Sequence, residues 1–478
     1  MKKAQLIIEK STQGHIATSL PALDVPEKSL SDLIPEKFHR SEAPLLPEIS
    51  EPELVRHYIG ISTKNHHVDK DLYPLGSCTM KYNPKINDWT ASVLAEVHPY
   101  QPEELSQGLL GVYHELEQQL CAITGMTAFT LQPAAGSQGE LVGVLLMRKY
   151  HELRGNDKDV ILIPDAAHGT NPASVAMAGY KVVEVKSNSK GLVDLEDFES
   201  KINDRVAGFM LTNPNTLGLF EENISKISEL IHGVDGIMYM DGANMNALLG
   251  IARPADLGFD ITHLNLHKTF STPHGGGGPG AGPIGVTDKL AAYLPRPRVE
   301  LKNEKYHLEY GYEHSIGRVH GFYGNFGILI RAWTYIRMLG PDGLRNVSEI
   351  AISNANYMMH KLKDVFELAY DRTCMHEFVL SAQAQKEQGT NALHIAKRLL
   401  DFGFHSPTMY FPLIVKEALM IEPTESENKE TMDRFISVMK QIAEEVETNP
   451  ELVLSAPHTT PVGKVDETYA NRNLNVHW

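Results

Sequence analysis

The sequence predicts an α/β protein whose mostly parallel sheet is flanked by helices. Short, largely apolar runs occur at residues 160–163, 208–211 and 237–240. Strands of parallel sheets are covered on both faces and have this appearance. Strand-like and helix-like patterns alternate from about Tyr73 to Leu290, which is typical of α/β folds.

Proline and glycine divide the chain into three predicted parts. Residues 1–65 are rich in Pro, Glu and Ser and predict an extended arm with short helical pieces that packs on another chain. Residues 66–325 form the large domain. Residues 326–478 form a smaller α+β domain that opens after a linking helix near 327–339. Its patterns predict a strand at 376–382, a helix capped near Thr390 and ended by Gly403, and a long helix at 429–448.

The most informative stretch is residues 259–285, FDITHLNLHKTFSTPHGGGGPGAGPIG, in which Lys268 stands between an apolar run and a glycine-rich loop. A lysine whose ammonium is desolvated has a lowered pKa, and its amine can form a Schiff base with a carbonyl compound. The cofactor that uses such a lysine is pyridoxal phosphate. A lone lysine after a strand is usually a surface residue, so this interpretation depends on the cofactor's other requirements.

The first requirement is an acid that holds a proton on the pyridine nitrogen of the cofactor. Asp241 follows the predicted buried strand 237–240 and precedes the small residues Gly242 and Ala243. Ligands of open parallel sheets bind at the carboxyl ends of strands. The interval from Asp241 to Lys268 accommodates one crossover and the next strand, so adjacent strand ends are expected to hold both residues.

The second requirement is a phosphate site, for which LQPAAGSQGELVGVLLMRKY is the best candidate. Gly136 and Ser137 precede a run with helical spacing, and the N–H groups at a helix start bind phosphate readily. We expect Ser137 to cap this helix, with Glu140 three residues later completing a capping box.

Two further strand ends carry polar residues. His168 lies beyond the strand 160–163, where its imidazole can stack on a flat ring. Thr212, Asn213 and Asn215 follow the strand 208–211 and could hydrogen-bond the phenolic oxygen of the cofactor. Taken singly, each of these residues has an ordinary explanation as a turn, cap or structural group. Their joint occurrence in one order along the chain favours the cofactor site.

Two other motif interpretations are weaker. The glycine loop formally matches G-x-G-x-x-G from Gly275, but Pro279 lies inside the match and no helix pattern follows it. His263 and His267 are spaced i, i+4, but the glutamate of the zinc-protease motif is missing. No metal site is predicted.

Composition suits an enzyme that binds small molecules. The chain has 478 residues, 42% of them hydrophobic, and a formal net charge of −16. No stripe of Lys and Arg offsets this charge, which argues against nucleic-acid binding. Neither a signal-peptide pattern at MKKAQLIIEKS nor an apolar run long enough for a membrane span is present, so we expect a bacterial-type cytoplasmic location.

The three cysteines, Cys78, Cys121 and Cys374, are too widely spaced for a disulfide framework or a zinc knuckle. Cys121 lies in a helical pattern and is expected to be a small buried residue. Cys78 lies in a GSC turn, for which both a conformational and a reactive role remain open.

Nearly all of the chain closely resembles the P-protein (glycine decarboxylase) family of the glycine cleavage system, specifically the second subunit of its two-chain form. The matching stretches are YPLGSCTMKYNPK (73–85), HPYQP (98–102), LQPAAGSQGE, AHGTNPAS, LTNPNTLGLFE, MDGANMNALLG, HLNLHKTFSTPHGGGGPG, EPTESE (422–427) and APHTTP (456–461). The first of these and the lysine stretch are highly specific. The family is similar in fold to the aspartate aminotransferase superfamily, called fold type I.

The resemblance implies roles for individual residues. Lys268 would carry pyridoxal 5'-phosphate covalently, Asp241 would bind the pyridine nitrogen, and His168 would stack on the ring. His267 would lie near the phosphate together with Gly136, Ser137 and Thr269.

The resemblance also implies a reaction and partners. Glycine would lose CO2, and its aminomethyl group would pass to the lipoyl arm of H-protein. A first subunit of similar fold that lacks the lysine would complete an α2β2 assembly. The alternatives are another fold type I decarboxylase or aminotransferase, and a non-catalytic scaffold subunit.

Two features of the implied site stay open. Ser77, His98, Tyr100 and Asn246 are polar residues of matching stretches, and each is as well explained by a structural role as by binding of the glycine carboxylate. The glycines at 275–278 would allow the loop to approach the cofactor phosphate of a neighbouring chain.

Overall fold

The computed structural model of the protein describes residues 5–42, 44–274, 278 and 280–475. Within these residues the helices are α1 (Leu30–Leu33), α2 (Glu51–Ser62), α3 (Lys85–Val93), α4 (Gln107–Thr124), α5 (Gly136–Arg154), α6 (Thr170–Met177), α7 (Leu195–Lys201), α8 (Ile224–Gly233), α9 (Asp288–Ala291), α10 (Phe326–Leu362), α11 (Gln383–Glu387), α12 (Ala392–Asp401), α13 (Lys429–Thr448), α14 (Pro450–Leu454) and α15 (Glu467–Arg472). Short 3₁₀ helices cover Ile8–Lys10, Glu36–Phe38, Glu103–Leu105 and Pro254–Leu257.

The strands of the described residues form three sheets. They are β1 (Ala128–Thr130), β2 (Val160–Pro164), β3 (Lys181–Val185), β4 (Val206–Thr212), β5 (Ile237–Asp241), β6 (Ile261–His263), β7 (Ile284–Val286), β8 (Arg298–Lys302), β9 (Lys305–Glu309), β10 (Glu367–Leu368), β11 (Phe378–Ser381), β12 (Thr408–Met409) and β13 (Ala418–Ile421).

The chain divides into two compact units, one of Met1–His66 with Thr459–Trp478 and the other of His67–His458. The first unit contains α1, α2 and α15, and its longest helix, α2, begins with a capping box between Ser50 and Glu53. Its apolar side chains are largely uncovered, since Leu20 and Leu45 are each 92% exposed.

The second unit is built around a seven-stranded sheet with the order β1-β7-β6-β5-β4-β2-β3. Strands β3, β2, β4, β5 and β6 are parallel, and β7 runs antiparallel to β6 and β1. The mostly parallel sheet is therefore confirmed, and β2, β4 and β5 are the strands predicted from the apolar runs.

Both faces of this sheet are covered. Met238 and Met240 of β5 point into one hydrophobic cluster, and their neighbours Ile237 and Tyr239 point into another on the opposite face. Because strand side chains alternate between faces, burial of both faces requires the continuous apolar runs seen in the sequence.

A smaller antiparallel sheet, β10-β11-β13-β12, follows in the second half of the chain. The predicted linking helix is the first part of α10, which bends at Gly340, where φ is 62° before Pro341. The long helix predicted at 429–448 is α13. The cap predicted near Thr390 is Asn391, whose side chain accepts the N–H of His394, while the Thr390 hydroxyl donates to the carbonyl oxygen of Gln385.

In the part of the chain that the structure describes, no helix is long and apolar enough to cross a membrane.

Candidate active site

Asp241 and Lys268 lie at the carboxyl ends of neighbouring strands. Asp241 ends β5, and the parallel register places it beside His263 at the end of β6. The connection between the strands contains the 3₁₀ helix Pro254–Leu257. Lys268 follows β6 in a turn in which its N–H donates to the carbonyl oxygen of Asn265 at 3.0 Å. The predicted arrangement of two adjacent strand ends is thus what the structure shows.

Asp241 is buried and surrounded by donors. Asn171 Nδ2 donates to Oδ2 at 3.0 Å, the N–H of Ala243 donates to Oδ1 at 3.1 Å, and Nε2 of His263 lies 3.3 Å from Oδ1. Burial alone would raise the pKa of Asp241, but His263, Asn171 and Lys268 together hold it below the ordinary value. The carboxylate is therefore ionised and able to bind a cationic N–H group.

His263 is oriented by a second contact, since its Nδ1 lies 2.9 Å from the hydroxyl oxygen of Tyr239. The sequence suggested His263 only as a weak metal-ligand candidate, and its spacing gave no sign of this Tyr239–His263–Asp241 chain. The strand register that creates it becomes visible only when β5 and β6 pair.

The start of α5 faces the same region. Gly136 is the first residue of the helix, and a Cβ there would lie 1.8 Å from Asn265 Oδ1, so only glycine fits. The predicted capping box was wrong: the N-cap is Ala135, and no side chain of the described residues caps the helix. Glu140 instead accepts a hydrogen bond from the Thr170 hydroxyl at 2.9 Å. The uncapped N–H groups suit an anionic ligand.

His168 lies beyond β2 and is exposed. Its Nδ1 is 2.8 Å from the Thr170 hydroxyl oxygen, and its ring meets Phe411 edge-on with centroids 5.7 Å apart. The side chain therefore stands at the open side of the site.

Thr212, at the end of β4, points a buried hydroxyl at the site, and that oxygen has no hydrogen-bond partner among the described residues. Asn213 and Asn215 bind backbone N–H groups instead. Asn213 Oδ1 accepts the N–H of Glu221, and Asn215 Oδ1 accepts the N–H groups of Leu217 and Leu219 in the following turn.

His267 and Thr269 flank the lysine but differ in position. Burial, with the positive charge of Lys268, lowers the pKa of His267 to about 3, so its ring is neutral. Its Nδ1 lacks a hydrogen-bond partner within the described residues. The Thr269 hydroxyl instead accepts the N–H of Met245 at 2.8 Å, away from the site.

A cavity of about 270 Å³ joins these elements. Of the residues that the sequence suggested for the cofactor, Thr269, Asn213 and Asn215 do not line it, and those that do are Gly136, Ser137, His168, Thr212, Asp241, His267 and Lys268. The lining residues are Ser77, Ala135, Gly136, Ser137, Glu140, His168, Thr170, Thr212, Pro214, Thr216, Asp241, Ala243, Asn244, His263, Asn265, His267, Lys268, His376 and Glu377.

The signature stretch 73–85 and the C-terminal sheet complete the cavity. Ser77 lines it, and its N–H donates to Glu377 Oε2 at 2.6 Å. His376 and Glu377, which precede β11, were missed by sequence analysis. The available signal was a pair of polar residues directly before an apolar strand in HEFVLSA.

The other candidates for binding the glycine carboxylate lie elsewhere. Asn246 binds the buried Lys81 and Glu425, while the N–H of Tyr100 donates to His98 Nδ1. Of the four candidates, only Ser77 lines the cavity.

Two further predictions concern the cysteines and the glycine loop. All three cysteines are free. Burial raises the pKa of the Cys78 thiol, which disfavours its reactive thiolate form. The expected contact of residues 275–278 with a neighbouring chain's phosphate falls largely on Gly275, Gly276 and Gly277, which lie outside the described residues.

Solved structures with the same fold include decarboxylases and an aminotransferase. A glycine decarboxylase (P-protein) of the glycine cleavage system, in inhibitor-bound form, aligns with a TM-score of 0.72 and 19% identity over 87% of this chain and 95% of that one. A glutamate decarboxylase from Lactobacillus brevis aligns with a TM-score of 0.67 and 14% identity over 86% of this chain and 96% of that one. The fold defines the class: fold type I, the aspartate aminotransferase-like enzymes.

Sequence comparison gives the family within that class. The family model described as glycine cleavage system P-protein matches residues 18–304, and that of the glycine dehydrogenase C-terminal domain matches residues 347–457. The chain is 57% identical to the probable glycine dehydrogenase (decarboxylating) subunit 2 of Chloroherpeton thalassium, over 99% of this chain and 97% of that protein. The corresponding protein of Caldanaerobacter subterraneus is 56% identical, over 99% and 98%. The chain belongs to the glycine cleavage system P-protein family.

Proposed function

We propose that the cavity around Lys268 binds pyridoxal 5'-phosphate and is where this chain carries out its family's reaction, the decarboxylation of glycine in the glycine cleavage system. The observation that carries the proposal is the convergence of Lys268, the ionised Asp241 and the uncapped start of α5 on one cavity. These groups match the aldehyde, the pyridine nitrogen and the phosphate of a single cofactor.

The fit of the cofactor is supported by polar atoms that lack partners. Thr212 Oγ1, Asn265 Oδ1 and His267 Nδ1 are buried at the cavity and find no hydrogen-bond partner in the described part of the chain. Such atoms cost free energy unless a ligand satisfies them. A flat, polar cofactor with a phosphate would do so.

When bound, pyridoxal phosphate supplies a ring that accepts the electron pair left on carbon as CO2 departs. The chain's own residues would hold and orient it. Lys268 offers the amine for covalent attachment. Asp241 holds a proton at the ring nitrogen, helped by His263 and Asn171. Gly136 and Ser137, at the start of α5, would bind the phosphate together with His267.

Other side chains would set the ring's environment. His168 would cover one ring face at the cavity mouth, and the Thr212 hydroxyl would bond the phenolic oxygen. Thr269 is better understood as a support for the turn, since its hydroxyl binds the Met245 N–H.

The partners form part of the same proposal. The relatives are described as subunit 2, so a second, different subunit is expected, in an α2β2 assembly. The aminomethyl group would pass to the lipoyl arm of H-protein. Exposed apolar residues in the N-terminal unit, such as Leu20 and Leu45, support an arm that covers the other subunit. A cytoplasmic location suits the three free cysteines.

We also propose the three-part division at residues 1–65, 66–325 and 326–478. A separate hydrophobic cluster around Phe378, Phe404 and Phe435 supports a distinct C-terminal part. The first half of α10, up to Val347, still packs in a cluster of the large sheet, so the change of packing lies within α10, later than residue 326. The compact units differ from this division in two respects: His67–His458 form one unit without a boundary near 326, and residues from Thr459 onwards group with the arm.

The test is the visible absorption spectrum of the purified chain with its partner subunit, followed by release of labelled CO2 from glycine with lipoylated H-protein. We expect a lysine-bound cofactor band and glycine-dependent CO2, both lost in Lys268→Ala. Lys226→Ala is a matched control, because Lys226 forms a surface ion pair with Glu199 away from the cavity.

Two results would contradict the proposal. A cofactor band without glycine-dependent CO2 release would move the chain to another decarboxylase or aminotransferase reaction. Absence of any band would make it a scaffold subunit.

A further inference from the structure

Two buried glutamates lie side by side at the cavity. Glu377 precedes β11 and Glu422 follows β13, and the antiparallel register pairs Phe378 with Ile421. Continuing that register by one residue places the two glutamates opposite each other. They are 2% and 0% exposed, and their carboxylate oxygens lie within 4.8 Å of each other and of a ring nitrogen of His376. Like charges in such a pair are destabilising, so one proton is expected between them.

The donors around the pair are unequal. Glu422 accepts the N–H of Thr79 at 3.0 Å, the Thr79 hydroxyl at 2.8 Å and Asn244 Nδ2 at 3.1 Å. Glu377 accepts, among the described residues, the N–H of Ser77. Negative charge is therefore better stabilised on Glu422, and the proton resides on Glu377. Glu377 is also the member that lines the cavity.

The pKa values agree with this assignment. Burial, and then the nearby Glu422 carboxylate, raise the pKa of Glu377 well above its usual range. Burial also raises the pKa of Glu422, to about 7, against the opposing hydrogen bonds from Thr79 and Asn244.

The signature stretch is strained where it reaches the pair. Ser77 and Thr79 have φ angles of 64° and 48°, in the left-handed region that a β-branched residue such as Thr rarely adopts. Strain of this kind persists at sites where the surrounding structure requires it. In this conformation the N–H group of Ser77 donates to Glu377 and the N–H group of Thr79 donates to Glu422. His376 is 2% exposed, its Nε2 lies 3.7 Å from Glu377 Oε1, and neither ring nitrogen has a hydrogen-bond partner in the described residues.

The proposed reaction needs one proton. The reactants are zwitterionic glycine and a disulfide. The products are CO2, an aminomethyl thioether with a protonated amine, and a thiol. The atoms balance only if one proton is taken up, because the released sulfur leaves as a thiolate. A group in the cavity must deliver that proton.

Resting on the proposed function, we infer that Glu377 is a catalytic acid which donates this proton to the released sulfur of the disulfide, and that Glu422 is the positioning residue that keeps the proton on Glu377.

The aminomethyl carbon forms a C–S bond with one sulfur, and the S–S bond breaks with its electron pair going to the other sulfur. The carbon is oxidised and the disulfide is reduced. The Glu377 O–H bond breaks as its proton moves to the thiolate, and the resulting carboxylate regains a proton from solvent through the open side of the cavity.

Other cavity residues are poorer donors. Burial first, and the nearby Lys268 charge, lower the pKa of His376 and of His267 to about 3, so both rings are neutral. Asp241 is ionised, and the serine and threonine hydroxyls are very weak acids. Three further titratable residues of the cavity are held by other contacts: Glu140 and His168 by the Thr170 hydroxyl, and His263 by Asp241 and Tyr239. Lys268 is the competitor that the experiment distinguishes.

The first measurement needs no cofactor. Infrared difference spectra of the cofactor-free assembly, wild type minus Glu377→Gln, should show at neutral pH the carbonyl band of a protonated carboxyl group. Glu117→Gln is the matched control, since Glu117 is a buried glutamate outside the cavity. Absence of such a band would overturn the inference, as would a stoichiometric metal ion bound to the purified chain and lost in Glu377→Gln.

The second measurement follows thiol formation on lipoylated H-protein in a single turnover. We expect Glu377→Gln to slow it by roughly 10²-fold or more, with unchanged glycine binding, while Glu117→Gln behaves as the wild type. The wild-type rate should fall at alkaline pH, and Glu422→Gln should move this fall to lower pH because it removes the neighbouring charge.

A failure of the proposed function can be distinguished from a failure of the role of Glu377. A wild-type chain that releases no CO2 from glycine contradicts the proposed function. Normal glycine-dependent CO2 release with unchanged thiol formation in Glu377→Gln contradicts only the role of Glu377 and points to Lys268 as the donor.

Discussion

Nζ of Lys81 lies 2.6 Å from Oε1 of Glu425, and the lysine side chain is 1% exposed. This ion pair joins the stretch 73–85 to the stretch 422–427, at opposite ends of the second unit. The ammonium also donates to the Tyr335 hydroxyl at 3.1 Å and to Asn246 Oδ1 at 3.3 Å. Burial alone would lower the pKa of Lys81, but Glu425 and Tyr335 raise it above the usual value, so the pair is charged.

Lys81→Met should destabilise the protein by about 3–5 kcal/mol, because it leaves the Glu425 carboxylate buried without its partner. Urea unfolding measures the loss. The control is Lys429→Met, which removes a solvent-exposed i,i+4 pair with Asp433 and should cost less than about 1 kcal/mol. A similar small cost for both variants would show that the buried pair is not a structural link.

Gly136→Ala should weaken cofactor binding and cost roughly 1–3 kcal/mol of stability. The added Cβ would lie 1.8 Å from Asn265 Oδ1, so the start of α5 must shift. Cofactor titration and urea unfolding check both effects. Gly108→Ala, in α4 with open space around its Cβ position, should instead be neutral or stabilising by up to about 1 kcal/mol. Full cofactor affinity in Gly136→Ala would contradict the placement of the phosphate at this helix start.

Asp241→Asn should reduce CO2 release from glycine by roughly 10²–10³-fold, the usual cost of losing one preorganised electrostatic contact. An amide cannot hold a proton on the ring nitrogen as a carboxylate does. The measurement is the rate of CO2 release at saturating glycine and cofactor. Asp256→Asn, which removes a surface pair with Arg253, should leave the rate unchanged, and an equal loss in the two variants would count against the role of Asp241.

His151 should make the protein less stable as the pH falls. Burial lowers the pKa of its ring to about 4, whereas an unfolded histidine titrates near 6.5. The unfolded chain therefore binds more protons between these values, and stability is lost as the pH drops through that window. The expected loss from this residue is about 2 kcal/mol between about pH 7 and about pH 5.

Urea unfolding at the two pH values, in the wild type and in His151→Gln, measures this loss. The variant should show a smaller difference between the two conditions, and His314→Gln, at an exposed position, should match the wild type. An undiminished difference in His151→Gln would assign the acid sensitivity to other buried histidines, such as His267 or His376.

Much of the fold was predictable because its signals are local. A strand buried on both faces requires consecutive apolar residues, as in Ile237–Asp241, and a long amphipathic helix such as α13 shows its period directly. The capping of α5 was mispredicted because Ser137 and Glu140 satisfy a common pattern. The observed N-cap is Ala135, two residues before the predicted one, with Gly136 packed closely against Asn265, and Glu140 binds the Thr170 hydroxyl instead of a backbone N–H group.

Some residues of the candidate site were likewise predictable from local signals, and others were not. Lys268, Asp241, His168, Gly136 and Thr212 all stand at element ends, where the order of strands and turns reveals them. The role of His263 emerged from the pairing of β5 with β6, and that of Glu377 from the pairing of β11 with β13. Thr269, adjacent to the lysine, turns its hydroxyl to Met245, because side-chain direction in a turn is set by the backbone and not by proximity in sequence.

The sequence by itself determined the α/β class, the parallel sheet and the positions of the strand ends, since apolar periodicity and turn residues act over a few residues. Its motifs were also sufficient to indicate the family. Only the tertiary structure decided which polar groups share the cavity. The antiparallel register of β11 and β13 brings Glu377 to Glu422, and the positive φ angles of Ser77 and Thr79 turn their N–H groups towards both. Electrostatic coupling and burial depend on distances between remote segments, which a sequence does not specify until the chain has folded.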